Sequence, residues 1–163
     1  ELFERYLLTP LRGKLDDTLL LITADRGQVS MNPKTTILID NEIPEILAYT
    51  KRNKGGIPIY PAGSARDLFL HVEPKYKTAL QAELSEKLLG RAEVHDCQTL
   101  IADGFFGIEP ASEHFLKNIA DLVVLPFAGE SITWSEFTRP FLGHHGGLTR
   151  EEMEIPFIAL ALG

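Results

Sequence analysis

The sequence predicts an α/β fold, with a mostly parallel core sheet built from strands near the two ends of the chain and a small α+β segment inserted between them. The run Thr18-Leu19-Leu20-Leu21-Ile22-Thr23-Ala24 is continuous and apolar, as expected of a strand buried on both faces of a largely parallel sheet. A second run of that kind, Ile155–Leu160, closes the chain. Between them Arg66–Val72 alternates polar and apolar residues, Pro74–Leu89 has helical periodicity with proline in its first turn, and Ala92–His95 is a short strand. Those three read together as a βαβ-like unit. With 163 residues, 44% of them hydrophobic and 24% charged, the chain can close a real core and carries no disorder signature.

In chain order, Leu2, Phe3, Tyr6 and Leu7 line one face of a helix expected to stop near Thr9-Pro10, where proline lacks the next donor. The first core strand ends at Asp25-Arg26-Gly27-Gln28, and in open α/β sheets ligands bind just beyond such carboxyl ends. Ile37–Ile39 is a short strand and Ile43–Lys51 a helix, before Asn53-Lys54-Gly55-Gly56 marks a boundary. Residues 1–56 are therefore read as core, 57–113 as the inserted α+β segment, and 114–163 as the return to the core. Thr99–Phe106 and Glu113–Ile119 are short helices, while Leu122–Leu125 and Ser131–Trp134 around Ala128-Gly129-Glu130 fit a hairpin. The loop Gly143–Gly147 then leads through one helical turn into the last strand.

A net charge of −7 disfavours nucleic-acid polymers and anionic membranes, and the longest basic run, Lys51-Arg52-Asn53-Lys54, is too short to reverse that. Phosphate chemistry stays open, because a bound cation supplies positive charge locally. No stretch approaches the ~20 apolar residues of a membrane span. The single cysteine, Cys97, closes no internal disulfide, which favours a cytoplasmic protein. The start shows neither an initiator Met nor a signal-peptide pattern and reads as the middle of a longer chain.

Two constellations could carry chemistry. Asp25 stands at the tip of a rigid strand, where it either faces a cation or substrate or simply caps a turn bent at Gly27. Gly143-His144-His145-Gly146-Gly147-Leu148-Thr149 sets imidazoles between glycines that permit close backbone approach, or is a polar loop before a capped helix. Thr149-Arg150-Glu151-Glu152 has the capping-box spacing. His71, His95, His114 and Cys97 read as packing or surface residues, Arg66-Asp67 as a surface ion pair, and Trp134 as core or cleft rim.

Taken together, Asp17–Gln28 and Gly143–Thr149 resemble the last two metal-binding motifs of the type I phosphodiesterase/nucleotide pyrophosphatase family of the alkaline-phosphatase superfamily. Gly63–Val72 and Ile119–Pro126 look like bacterial members of that family. The resemblance implies the C-terminal part of an alkaline-phosphatase-like three-layer sandwich. It assigns Asp25 as a carboxylate ligand of one catalytic metal and His145 as a ligand of the other, the ions being divalent and usually zinc. In such enzymes paired ions polarise the phosphoryl group and activate a Thr or Ser nucleophile through a covalent phospho-enzyme. Here the nucleophile and the remaining ligands would lie upstream, so the chain alone is expected to be inactive and to need the N-terminal half of the same protein. The family histidine after Asp25 is replaced by Arg26, which stays protonated and cannot coordinate a metal, so one metal site is short of a ligand and two ions, one or none are the open outcomes.

Arg26 then either binds a substrate phosphate, with His144 as a low-ranked neighbour in that role, or pairs with Asp25. The implied substrate is a phosphodiester or nucleotide, and the inserted segment is a cap that helps select it. A degenerate phosphate-binding module without catalysis is the alternative, as is a phosphomonoesterase, phosphonate hydrolase or mutase of the same superfamily.

Overall fold

The structure, a computed structural model, describes residues 1–108, 110–137 and 141–162. A π-helical turn, Glu4–Leu8, runs straight into α1 (Thr9–Leu11). The helix thus passes Pro10 and ends one residue later, at Leu11. The chain continues through β1 (Thr18–Thr23), β2 (Val29–Ser30), β3 (Ile37–Leu38), α2 (Ile39–Glu42), α3 (Ile46–Tyr49), β4 (Ala62–Ser64) and β5 (Asp67–Leu70). Then come α4 (Lys77–Lys87), β6 (Ala92–Asp96), α5 (Cys97–Ala102), α6 (Glu113–Asn118) and β7 (Leu122–Pro126). β8 (Ile132–Thr133), β9 (Gly143–His144), α7 (Arg150–Met153) and β10 (Phe157–Leu162) complete it. The expected Ile43–Lys51 helix is shorter than its pattern, because Pro44 pushes Ile43 out of helical geometry to φ −131° and ψ 88°.

The largest sheet has the order β4-β5-β7-β6, and all its neighbours are antiparallel. β5 and β6 therefore run parallel to each other with α4 as their crossover, so the βαβ pattern is real but split by β7. One face carries Leu68, Leu70, Leu122 and Val124 against Leu80, Leu84 and Leu88 of the α4 region and Ile39, Ile43 and Ile46 of the α2–α3 region. On the other face Val123 packs with Cys97, Leu100 and Ala120. Asp96 and Ser112 cap α5 and α6 by accepting the Gln98 and Phe115 amide hydrogens.

Two sequence expectations are corrected. β1 pairs with β10 antiparallel, from Thr18 opposite Leu162 to Thr23 opposite Phe157, and the pair is not buried on both faces: Leu19 is 62% and Phe157 71% exposed. Among the described strands the one parallel pair is β3·β8. A continuous apolar run reports that both faces are apolar; it does not encode the direction of the neighbour or what covers it. The expected hairpin over Leu122–Trp134 is also absent, since β7 pairs with β5 and β6 while β8 pairs with β3. The turn at Phe127–Glu130 closes locally through the Glu130 amide and Phe127 carbonyl, but it passes the chain to another sheet.

Candidate functional site

The strand-end and histidine motifs meet in space. After β1 the Asp25–Gln28 turn enters β2, where Val29 pairs with His144 and Ser30 with Gly143 of β9. The Met31 amide donates to the Leu142 carbonyl at 2.8 Å, and the Gly27 amide donates to the Glu152 carbonyl at 2.9 Å. A Cβ at Gly27 would overlap the Glu151 carbonyl, so only glycine permits that approach.

Asp25 and Arg26 pair with each other, Nη1 to Oδ2 at 2.5 Å, with side chains 79% and 50% exposed. An ion pair this exposed stabilises by less than ~1 kcal/mol. His144 is half-buried with its ring 6.2 Å from, and perpendicular to, that of Phe141. Burial, assisted by the charges of His145 and Arg66, pushes its pKa down and favours neutral imidazole. His145 is half-buried too, and its carbonyl accepts the Ser64 hydroxyl at 2.9 Å.

The strongest polar cluster lies directly behind this loop. Arg66 is fully buried and forms a two-pronged pair with Glu152, Nε to Oε1 and Nη2 to Oε2, both at 3.0 Å. Its Nη1 donates to the Phe127 carbonyl at 2.8 Å and also to the Glu130 carbonyl. Glu152 further accepts the Gly147 amide at 3.0 Å, the Thr149 hydroxyl at 2.7 Å and the Thr149 amide at 3.4 Å, completing the anticipated capping box. Burial opposes ionisation of Glu152, but the hydrogen bonds from Arg66, Thr149 and Gly147 outweigh it and hold the carboxyl below its usual range.

Asp67 accepts the Ser64 amide at 2.9 Å and the Ser64 hydroxyl. Burial raises its pKa, while the Ser64 bonds and the nearby His145 pull in the other direction. Arg66-Asp67 is therefore no surface ion pair. The missed signal was the period of two: Arg66, Leu68, Leu70 and Val72 share one buried face of the strand.

The remaining histidines have local partners. His95 contacts Glu93 at 2.9 Å, His114 contacts Asn118 at 3.5 Å, and His71 is half-buried beside Lys51 and Asp121. One carboxylate and one imidazole are the donor types zinc takes. Among the described residues no group of three or more His, Cys, Asp or Glu side chains converges. No described helix is long and apolar enough to cross a membrane.

No family model matches the chain, and no curated protein matches it significantly. Solved structures do. Human ectonucleotide pyrophosphatase/phosphodiesterase 5 is similar at 16% identity and a TM-score of 0.66, over 95% of this chain and 37% of that one. A structure of the murine protein in complex with AMP is similar at 16% identity and a TM-score of 0.67, with the same coverage. Phosphonoacetate hydrolase from Sinorhizobium meliloti 1021, in complex with phosphonoformate, matches at 20% identity and a TM-score of 0.61, over 96% of this chain and 38% of that one. These are alkaline-phosphatase superfamily proteins, and the shared mixed α/β fold bears out the resemblance carried by the two motifs. The chain spans less than two fifths of their length.

Proposed function

We propose that this chain is the C-terminal part of a metal-dependent hydrolase of phosphodiesters or nucleotide pyrophosphates, with Asp25 a ligand of one ion and His145 of the other. The observation that carries this reading is the meeting of the Asp25 turn and the His145 loop through β2·β9 and the Gly27–Glu152 bond, in a fold shared with a nucleotide pyrophosphatase/phosphodiesterase and a phosphonate hydrolase. Carboxylate and imidazole donors suit zinc. The other ligands and a Thr or Ser nucleophile would come from the N-terminal half of the protein, so residues 1–163 alone do not turn over substrate. The exposed apolar residues of β1 and β10 support such a partner segment. Residues 57–113 would border the substrate, a small nucleotide or phosphodiester; AMP in the murine structure supports that size and chemistry. Arg26 would meet the phosphate once released from Asp25, its planar fork matching two phosphate oxygens, with His144 a second candidate for that role. A free, buried Cys97 is compatible with a cytoplasmic setting.

Two specific observations favour other readings. The Arg26–Asp25 pair favours a degenerate phosphate-binding module, because it occupies the carboxylate a metal would need. The likeness to phosphonoacetate hydrolase favours a phosphonate hydrolase. Metal content and turnover of the gently purified full-length protein separate them. We expect bound zinc and hydrolysis of an aryl phosphodiester, with both reduced by Asp25→Asn and His145→Ala. Absence of zinc, manganese and iron together with no turnover would leave the degenerate module; turnover of phosphonoacetate but not of the diester would move the assignment to phosphonates.

A further inference from the structure

The loop that presents His145 is held through β9 as far as His144, but from His145 onward it has little structure of its own. Gly143, Gly146 and Gly147 leave it the widest backbone freedom, and its one large apolar residue, Leu148, faces solvent. The contacts that fix this second half come from the turn between β4 and β5. The single Ser64 hydroxyl hydrogen is shared between the His145 carbonyl, 2.9 Å away, and Asp67, which also accepts the Ser64 amide and so holds the turn. Arg66 fixes Glu152 from two sides, and Glu152 in turn takes the Gly147 amide and the Thr149 hydroxyl. The fit is tight: a Cβ at Gly146 would stand 2.5 Å from Ser64 Oγ, and one at Gly147 would stand 2.6 Å from Glu152 Oε2 and 2.8 Å from Arg66 Nη2.

We propose that Ser64, Arg66 and Asp67 are positioning residues for His145, so that the inserted segment sets the geometry of the histidine loop as well as bordering the substrate. This rests on His145 being a metal ligand. An exchangeable cap would make few bonds to the catalytic loops; here the sheet that carries the cap supplies the contacts that order one of them. A purely stabilising role for the Arg66–Glu152 pair is the competing account. The two differ because a buried ion pair is often replaceable by apolar residues without loss of stability, whereas a guanidinium fork that orients a carboxylate has no apolar substitute.

The test is hydrogen exchange of the full-length protein without metal, read over 143–152 against β5–β7, for Arg66→Met/Glu152→Leu and for Ser64→Ala/Asp67→Asn. We expect both double variants to keep protection in the sheet and to exchange about tenfold faster in the loop. The zinc dissociation constant should rise about tenfold or more, as when a group supporting a metal ligand is lost. Should Arg66→Met/Glu152→Leu fail to fold, Ser64→Ala/Asp67→Asn, which removes no buried charge pair, decides alone. Unchanged loop exchange in a folded variant overturns the proposal. Faster loop exchange in a protein that never binds zinc upholds the positioning role and instead overturns the hydrolase reading.

Discussion

Leu122 of β7 and Leu19 of β1 occupy the same kind of place, inside a strand of apolar residues, yet the first is 0% and the second 62% exposed. β7 is central in a four-stranded sheet with α4 and the α2–α3 turns over one face and α5 over the other. The β1·β10 ribbon has two strands and no fully buried residue. A two-stranded ribbon is marginal in water unless something packs on it. The β4–β7 region thus supplies its own hydrophobic stabilisation, whereas the ribbon displays apolar surface that this chain leaves uncovered. The candidate site lies where the two regions join, its Asp25 carried by the ribbon and its His145 loop held by the sheet.

The sharpest break of that comparison is one chemical change made twice. Leu122→Ala should cost about 2–5 kcal/mol in urea denaturation, because it leaves a cavity in a closed core. Leu19→Ala should stay within about 0.5 kcal/mol, as a surface change does. Equal losses would mean that the ribbon is as well packed as the sheet.

A smaller effect follows from pH at the junction. The Glu152 pKa is depressed in the fold, so its contribution is fully present above the ordinary carboxylate range and is lost as pH falls through the folded value. The urea midpoint should therefore drop in acid, and the drop should be smaller in a folded Arg66→Met/Glu152→Leu variant, Asp96 with its own lowered pKa supplying a remainder. Asp67 acts oppositely. Burial raises its pKa, so its contribution is present in acid and is lost as pH rises through the folded value; Asp67→Asn should steepen the acid drop. Arg26→Ala is expected to shift stability by less than ~1 kcal/mol because its pair with Asp25 is exposed. A larger loss would show that this turn is held by more than its contacts with α7 and β9.

Much of the local structure was legible. Thr18–Ala24 and Ala92–His95 form strands close to their patterned lengths, Arg66–Val72 contains the shorter β5, and Pro74–Leu89 contains α4, because alternation and helical period are written in consecutive residues. Thr149 and Glu152 announced a helix start three residues apart, and the capping box forms. Arg66 shows where such reading stops short. Its phase on the buried face was visible, but its partner Glu152 lies 86 residues away, and no local pattern connects them. The hairpin over Leu122–Trp134 failed for the same reason. A glycine turn between two apolar runs is compatible with self-pairing, and β7 finds better partners in β5 and β6.

By itself the sequence determined much of which segments become strands and helices, which residues can bend or cap them, and, through two motifs in fixed order, the mixed α/β fold shared with the solved structures. Those properties depend on neighbours within a few positions, where backbone sterics and side-chain period act. Only the tertiary structure decided that β1 and β10 run antiparallel with apolar faces open, that β7 splits the βαβ unit, and that the His145 loop rests on Ser64, Arg66 and Asp67. Each is a choice among long-range partners of similar local character that no run of neighbouring residues encodes; at Arg66 it is the choice that leaves no buried charge without a partner.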